Sequence, residues 1–260
     1  MTDTSDPVQP YARRGFGLAA GAYGRARPTY PKVAINWLAD ALGLVPGRTV
    51  LDVGAGTGKF TEALIPTGAT VIAVEPVAEM RRTLHAALPD VAVIDASAEG
   101  LPLWDSSVDA IVAAQAFHWF DTGRALAEFH RVLRPGGRLG LVWNIRDTGV
   151  DWVRELEAII DDYASAAPYH EDWRARLDEN PQFGTVVSAE FAISQQLDRA
   201  GLRDRIASMS FIASLDDDDR EAALGRVEAL VASHPQTAGR TIIELPYRTR
   251  AHWTARVDGT

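Results

Sequence analysis

Residues 50–61 read "VLDVGAGTGKFT", a short apolar run followed by three glycines at alternate positions. Such a pattern is typical of a β-strand that ends in a turn whose backbone lies close to a ligand. Two familiar glycine motifs nearly fit the stretch, and a third fits it throughout. Because each motif accompanies a different ligand, the choice among them decides the fold and the function.

The P-loop of nucleoside triphosphatases requires G-x-x-x-x-G-K-[S/T]. Gly58 and Lys59 supply the "GK" pair, but Val53 stands where the first glycine belongs. Phe60 replaces the Ser or Thr whose hydroxyl would bind magnesium. Two of the four defining positions fail, so the sequence excludes a P-loop.

The dinucleotide-binding fingerprint requires G-x-G-x-x-G, in which the third glycine lets a helix pack closely on the strand. Gly54 and Gly56 match, but Lys59 occupies the third position. The motif that fits is G-x-G-x-G, completed by Gly58 and preceded by Asp52. A carboxylate beside this turn would repel a pyrophosphate and attract a cationic group such as an amine.

A second acidic residue, Glu75, ends the apolar stretch "ATVIAVE" (69–75). An acid at the tip of the second strand is placed to accept hydrogen bonds from ribose hydroxyls. An acid near an amine, glycines against a sugar and an acid on that sugar together favour S-adenosylmethionine, whereas NAD satisfies only the last two. An NAD-dependent oxidoreductase and a non-catalytic cofactor-binding module remain as alternatives.

The chain alternates predicted strands with helical segments of about 10–12 residues, which indicates a doubly wound α/β domain with a largely parallel sheet. The first helix begins near Pro31, and Val33 is predicted on its buried face. The "RPGG" stretch is predicted to end the helix over 122–133. The predicted strands are 49–53, 69–75, 91–95, 108–116 and 138–144.

The regular alternation of predicted strands and helices ends after residue 144. Residues 150–180 are predicted to be helical, 188–197 a strand, 216–232 a helix and 242–257 a long final strand. The four aspartates at 216–219 suit a solvated helix N-terminus, because carboxylates favour the positive end of the helix dipole.

Several stretches together resemble the class I S-adenosylmethionine-dependent methyltransferases. Within that class the chain looks like the small-molecule branch that includes the trans-aconitate methyltransferases and the ubiquinone-biosynthesis C-methyltransferases. The resemblance implies a Rossmann-like, seven-stranded sheet in the order 3-2-1-4-5-7-6, with the seventh strand antiparallel. The matching stretches are "YGRARPTYP" (23–31), "VLDVGAGTGKFT" (50–61), "VIAVEP" (71–76), "SAEGLPLWDSSVDAIVAAQAFHWFD" (97–121) and "RVLRPGGRLGLVWNIRD" (131–147).

The resemblance also implies roles for individual residues toward the cofactor. Ser97 stands where many relatives carry Asp, so its hydrogen bond to adenine would be weaker. Tyr23 and Arg27 would belong to a lid over the cofactor. The remaining assignments are Asp52, Gly54, Gly56 and Gly58 around the methionine and ribose portions, Glu75 on the ribose hydroxyls, Ser97 and Ala98 at the adenine edge, and Gln115 beside the methionine moiety.

The segment "FHWFD" (117–121) follows the fourth strand, where doubly wound sheets place ligand contacts. His118 is a candidate base or substrate contact, or it caps the following helix. Arg146 would pair with a substrate carboxylate or form an ion pair with Asp147 or Asp151. The residues predicted to line a substrate pocket are Trp119, Phe120, Trp143, Asn144 and Arg146.

These features predict four parts of the chain. Residues 1–30 would form a lid, 31–147 the S-adenosylmethionine-binding core, 148–187 a helical insert that shapes the acceptor pocket, and 188–260 the completion of the sheet. The predicted activity is methyl transfer to a small-molecule acceptor, at an oxygen of a carboxylate or a hydroxyl. A carboxylate would need no base, whereas a hydroxyl would call for His118.

Composition narrows the range of partners. The 260 residues carry a formal net charge of -9, which argues against nucleic-acid and anionic-membrane binding. The absence of cysteine excludes disulfides and thiolate chemistry. We expect a cytoplasmic protein without a metal site, because the N-terminus lacks signal-peptide features and the six histidines form no helical ligand pair. The sequence leaves the oligomeric state open.

Overall fold

The computed structural model describes residues 27–164 and 173–258. A seven-stranded sheet runs through them in the order β3-β2-β1-β4-β5-β7-β6. Neighbouring strands from β1 to β5 are parallel, and β7 is antiparallel to both β5 and β6, so the predicted topology is confirmed. The strands are β1 (Thr49–Val53), β2 (Thr70–Val74), β3 (Ala92–Ile94), β4 (Val108–Ala114), β5 (Leu133–Arg146), β6 (Val187–Leu197) and β7 (Ile243–Ala255).

Helices connect the strands and cover the sheet. Short 3-10 turns follow α2 at Ile65–Thr67 and precede α4 at Phe117–Trp119. The α-helices are α1 (Lys32–Leu42), α2 (Lys59–Leu64), α3 (Ala78–Ala87), α4 (Thr122–Val132), α5 (Asp151–Asp161), α6 (Trp173–Asp178), α7 (Arg199–Ala207), α8 (Ser210–Ala213) and α9 (Asp217–Ser233).

Both faces of the sheet are covered, which explains why the strands are continuously apolar. Adjacent residues of β1 point to opposite faces. Val50 packs in one buried cluster with Leu38 and Phe60, while Leu51 packs in another with Phe129. Strands buried on both faces need no polar alternation.

A third buried cluster lies among the helices that follow β5. It joins Trp152 of α5, Ile206 of α7, Leu224 of α9 and Tyr247 of β7. The predicted helical segment 150–180 is not one continuous helix in the structure. Helix α5 ends at Asp161, and α6 begins at Trp173. Sequence reasoning missed α7 and α8; the highly charged "RAGLRDRIA" of α7 has little helical amphipathicity to reveal it.

Two further expectations are wrong. Val33 is 57% exposed, because α1 turns Ala34 and Leu38 toward the sheet instead. The helix before "RPGG" ends at Val132, close to the predicted end, but β5 begins at Leu133 and not at residue 138, so "RPGG" lies inside the strand. Pairing of β4 with β5 shifts register between Val108 and Ala110, and Gly136 takes a left-handed φ of 73° there.

The predicted helix N-terminus at the four aspartates is confirmed. Asp216 caps α9, and its carboxylate accepts a hydrogen bond from the Asp219 amide at 2.8 Å. Such a cap satisfies one of the amides that the first turn leaves unpaired.

A buried carboxylate fastens the starts of three strands. Asp109 of β4 accepts hydrogen bonds from Arg48 Nη1 at 2.7 Å, from the Thr49 amide at 2.8 Å and from Arg134 Nη1 at 2.8 Å. Burial opposes ionisation of Asp109, but these donors together hold its pKa below the usual value. The carboxylate therefore links β1 and β5 to β4 in its charged form.

Replacing this carboxylate is expected to weaken the fold. Asp109→Asn should lower the free energy of unfolding by about 1–3 kcal/mol, because an amide cannot satisfy three donors. Since the folded pKa is depressed, the loss should be full above about pH 4 and shrink as the pH falls through that pKa. Urea denaturation measures it, with the exposed Asp90→Asn as control. Equal values for the two variants would contradict the role.

Candidate functional site

A cavity opens at the carboxyl ends of β1, β2 and β4, where the strand order reverses between β1 and β4. Ligands of doubly wound sheets bind at this kind of crevice. Eleven of the predicted site residues line it: Arg27, Asp52, Gly54, Gly56, Glu75, Ser97, Ala98, Gln115, Trp119, Phe120 and Asn144.

The glycine loop adopts a backbone that other residues rarely take. Gly54, Gly56 and Gly58 have φ values of 71°, 58° and 87°, all left-handed. A Cβ on Gly54 would stand 2.6 Å from the Ala116 Cβ, so the loop packs tightly against the end of β4. Gly58 serves helix packing instead, since a Cβ there would meet Leu84 at 2.9 Å.

Asp52 is the penultimate residue of β1, lines the cavity and is fully buried. Its Oδ2 accepts a hydrogen bond from Thr61 Oγ1 at 2.6 Å. Its Oδ1 is buried without a hydrogen-bond partner among the described residues. Burial raises the pKa of Asp52 to about 7, with a smaller contribution from the charge of Glu75, while Thr61 opposes the rise. A donor or a cation from a ligand would satisfy this oxygen.

Glu75 follows β2 and is held in place by backbone amides. Its Oε2 accepts from the Gly56 amide at 2.9 Å, and its Oε1 accepts from the Val77 amide at 2.8 Å. Burial raises the pKa of Glu75, which these bonds oppose. Each carboxylate oxygen keeps a second lone pair, so Glu75 can still accept hydrogen bonds from a ligand.

The described part of the predicted lid forms one wall of the cavity. Lys59 Nζ donates a hydrogen bond to the Arg27 carbonyl, and Asn144 Nδ2 donates to the Thr29 carbonyl at 3.0 Å. Tyr30 meets the Phe60 ring edge-on at 4.8 Å. Tyr23 lies outside the described residues.

Gln115 connects the ends of β4 and β5. It has a φ of 57°, unusual for a residue other than glycine, and its Nε2 donates to the Asn144 carbonyl at 3.1 Å. Strained backbone of this kind collects at functional sites. It places Gln115 and the following Ala116 on the cavity wall.

His118 and Trp143 are not among the residues that line the cavity. Trp143 Nε1 donates a hydrogen bond to His118 Nδ1 at 3.2 Å, so the neutral ring carries its proton on Nε2. Burial, with a smaller effect of the charge of Arg27, lowers the pKa of His118 to about 4. Trp143 also stacks on Trp173 at 4.5 Å. These contacts disfavour His118 as a base at neutral pH.

Arg146 also lies outside the cavity lining. It forms two hydrogen bonds with Glu157 of α5, one of them from Nη2 to Oε1 at 2.8 Å. The expected pairing with Asp147 or Asp151 is wrong. Asp147 instead pairs with Arg248 at 2.8 Å, on the antiparallel neighbour β7.

Sequence reasoning missed other residues of the lining. Lys59 and Phe60 served only to exclude other motifs, although they follow the last glycine directly. Met80 lies near the start of the helix that follows Glu75, which is the signal that would have found it. The other lining residues that were not predicted include Pro28, Tyr30, Ala55, Thr57, Pro76, Val77, Ala96, Glu99, Ala114 and Ala116.

Within residues 27–164 and 173–258, no group of three or more His, Asp or Glu side chains has the arrangement of a metal site. None of the helices in this part of the chain has the length and apolar character needed to span a membrane.

Comparison with known proteins finds methyltransferases. The methyltransferase domain model matches residues 51–141. An uncharacterised methyltransferase of Mycobacterium tuberculosis is 45% identical over 234 residues, covering 90% of this chain and 92% of the relative. Malonyl-[acyl-carrier protein] O-methyltransferase of Methylococcus capsulatus is 39% identical over 142 residues, 51% of each chain.

Solved structures show the same fold. A protein of Anaeromyxobacter dehalogenans, provisionally assigned as a type II methyltransferase, has a TM-score of 0.64 and 24% identity. The match covers 88% of this chain and 97% of that one. The chain belongs to the class I S-adenosylmethionine-dependent methyltransferases.

The tight packing of the glycine loop gives a direct test. Gly54→Ala should destabilise the protein by about 1–3 kcal/mol more than Gly43→Ala, because overpacking adds to the backbone strain that both share. Gly43 is the matched control, since its φ is 68° and a Cβ there meets nothing within 4 Å. Chemical denaturation measures both variants. Equal losses would show that the loop has room at Gly54.

Proposed function

We propose that the cavity binds S-adenosylmethionine and that the protein transfers the methyl group to an oxygen of a small-molecule acceptor. The observation that carries this proposal is Asp52, which lines the cavity and whose buried Oδ1 has no partner among the described residues. An amino group of the ligand would supply both the missing donor and a compensating charge.

The remaining lining supports the same ligand. Glu75 keeps lone pairs for the ribose hydroxyls, and the left-handed loop lets a sugar approach the backbone. Ser97 and Ala98 would contact the adenine edge, and Gln115 the methionine moiety. A dinucleotide fits less well, because its pyrophosphate would lie beside the buried acid at position 52.

The acceptor would lie beside the cofactor, toward β5. Trp119, Phe120 and Asn144 line that part of the cavity, and Trp143 and His118 would position them. The lid (1–30) and the helical insert (148–187) would shape the acceptor pocket. The Methylococcus capsulatus relative is by name an O-methyltransferase, which supports oxygen as the acceptor atom.

When bound, S-adenosylmethionine supplies a methyl group on an already activated leaving group. The residues of the chain must therefore hold the acceptor in line and exclude water, which can lower the barrier by roughly 7–11 kcal/mol in the best intramolecular cases. Because the basic nitrogen of His118 is occupied by Trp143, the site favours an acceptor that arrives deprotonated.

The cofactor assignment predicts that Asp52→Ala and Glu75→Ala each weaken S-adenosylmethionine binding about tenfold or more, because each removes a charged hydrogen-bond acceptor. Isothermal titration calorimetry measures the affinity, and circular dichroism checks the fold. Asp109→Asn, which removes a buried carboxylate away from the cavity, should bind as the wild type does.

Three results would contradict the proposed function or favour another one. Unchanged affinity in both cavity variants would defeat the cofactor assignment. Quenching of tryptophan fluorescence by NADH, with none by S-adenosylhomocysteine, would favour an oxidoreductase. Tight cofactor binding without methyl transfer to any metabolite fraction would favour a non-catalytic binding module.

The raised pKa of Asp52 predicts that cofactor affinity depends on pH. With that pKa at about 7, the ionised fraction rises about tenfold between pH 6 and pH 8, and affinity for a cationic amine should rise with it. Titration with S-adenosylhomocysteine at both pH values measures the change. Asp52→Asn should show a flat response, and an equal rise in that variant would assign the dependence to another group.

A further inference from the structure

Arg205 of α7 is 3% exposed and has an unmet hydrogen-bond donor. Its Nε donates to the Tyr247 hydroxyl at 3.1 Å. Its Nη1 is buried and has no acceptor in the described part of the chain. A buried donor left unpaired destabilises the folded state, and more so when it is charged. The position of this guanidinium therefore calls for an acceptor that the described residues do not provide.

The sheet connects Arg205 to the cavity. Asn144 lines the cavity, and its Oδ1 accepts a hydrogen bond at 2.6 Å from Thr249, directly opposite on β7. Two residues further along, Arg146 lies opposite Tyr247. Residues two apart on a strand share a face and are separated by roughly 7 Å. Tyr247 therefore lies on the same face of the sheet as the Asn144–Thr249 pair, one step further toward the carboxyl end of β5, and it holds Arg205 by its hydroxyl.

The electrostatic surroundings favour an anion at this position. Burial, together with the positive charges of Arg27 and Arg146, lowers the pKa of Arg205 to about 10. Burial, together with the charge of Arg205, lowers the pKa of Lys59 to about 8. Arg146 is compensated by Glu157, and Arg27 and Lys59 line the cavity. An anion beside Arg205 would relieve the repulsion among these cations.

We propose that Arg205 binds a carboxylate of the methyl acceptor, at the end of the cavity beyond Asn144. This inference rests on the proposed function and names the chemical class of its acceptor. A guanidinium edge matches a carboxylate geometrically, and shielding from water strengthens the charge-assisted bond. One unpaired donor, Nη1, suits a carboxylate better than a phosphate, whose three oxygens require more donors.

The test measures anion binding to the intact protein. Simple carboxylates of two to six carbons, and inorganic phosphate, are titrated at constant ionic strength in the presence of S-adenosylhomocysteine, with melting temperature and calorimetry as readouts. At least one carboxylate should bind the wild type saturably, and Arg205→Gln should weaken it about tenfold or more. Arg199→Gln, an exposed arginine on the same helix, should bind as the wild type does.

A second variant covers the case in which Arg205→Gln fails to fold. Tyr247→Phe keeps the guanidinium and the ring but removes the hydroxyl that orients Arg205, and should weaken the same carboxylate severalfold. The inference is overturned if no carboxylate binds, if these variants bind as the wild type does, or if phosphate binds more tightly. A wild-type protein that does not bind S-adenosylhomocysteine would refute the proposed function instead, so the two failures are distinguishable.

Discussion

The glycine loop is hydrogen-bonded to the end of β2, and the rest of the site depends on that attachment. The amides of Gly54 and Ala55 donate to the Val74 carbonyl at 2.8 and 3.1 Å, and the Gly56 amide donates to Glu75. These bonds require the left-handed turns that only glycine adopts without strain. Loop and acid therefore form one preorganised unit at the point where the strand order reverses. A ligand that binds there pays little for ordering the protein.

The distribution of buried charge is the second determinant. Asp52 and Glu75 stand at the ends of β1 and β2, Lys59 donates to the lid, and Arg205 donates to Tyr247 of β7. Burying charge destabilises a fold, and the shifted pKa values of these groups reflect that cost. The two proposals explain the arrangement as complementarity to an amine beside the acids and to a carboxylate beside Arg205.

Much of this architecture was predictable from the sequence. The five parallel strands and the capping aspartate followed from local patterns, and the strand order followed from the resemblance to a known class. The partner of Arg146 was not predictable in the same way. Asp147 is adjacent in sequence, but strand alternation turns it toward Arg248, while α5 brings Glu157 back to the arginine. Helix α7 was missed because its many charged residues leave no clear amphipathic pattern in the sequence.

The glycine loop, the two acids at the strand ends and the continuously apolar strands can all be recognised from residues close together in the chain. The pairing of polar groups can be recognised only in the folded protein. His118 is occupied by Trp143, whereas Asp52 Oδ1 and Arg205 Nη1 have no partner among the described residues. Such pairing depends on how distant elements pack, because hydrogen bonds act over about 3 Å and local sequence does not encode those distances.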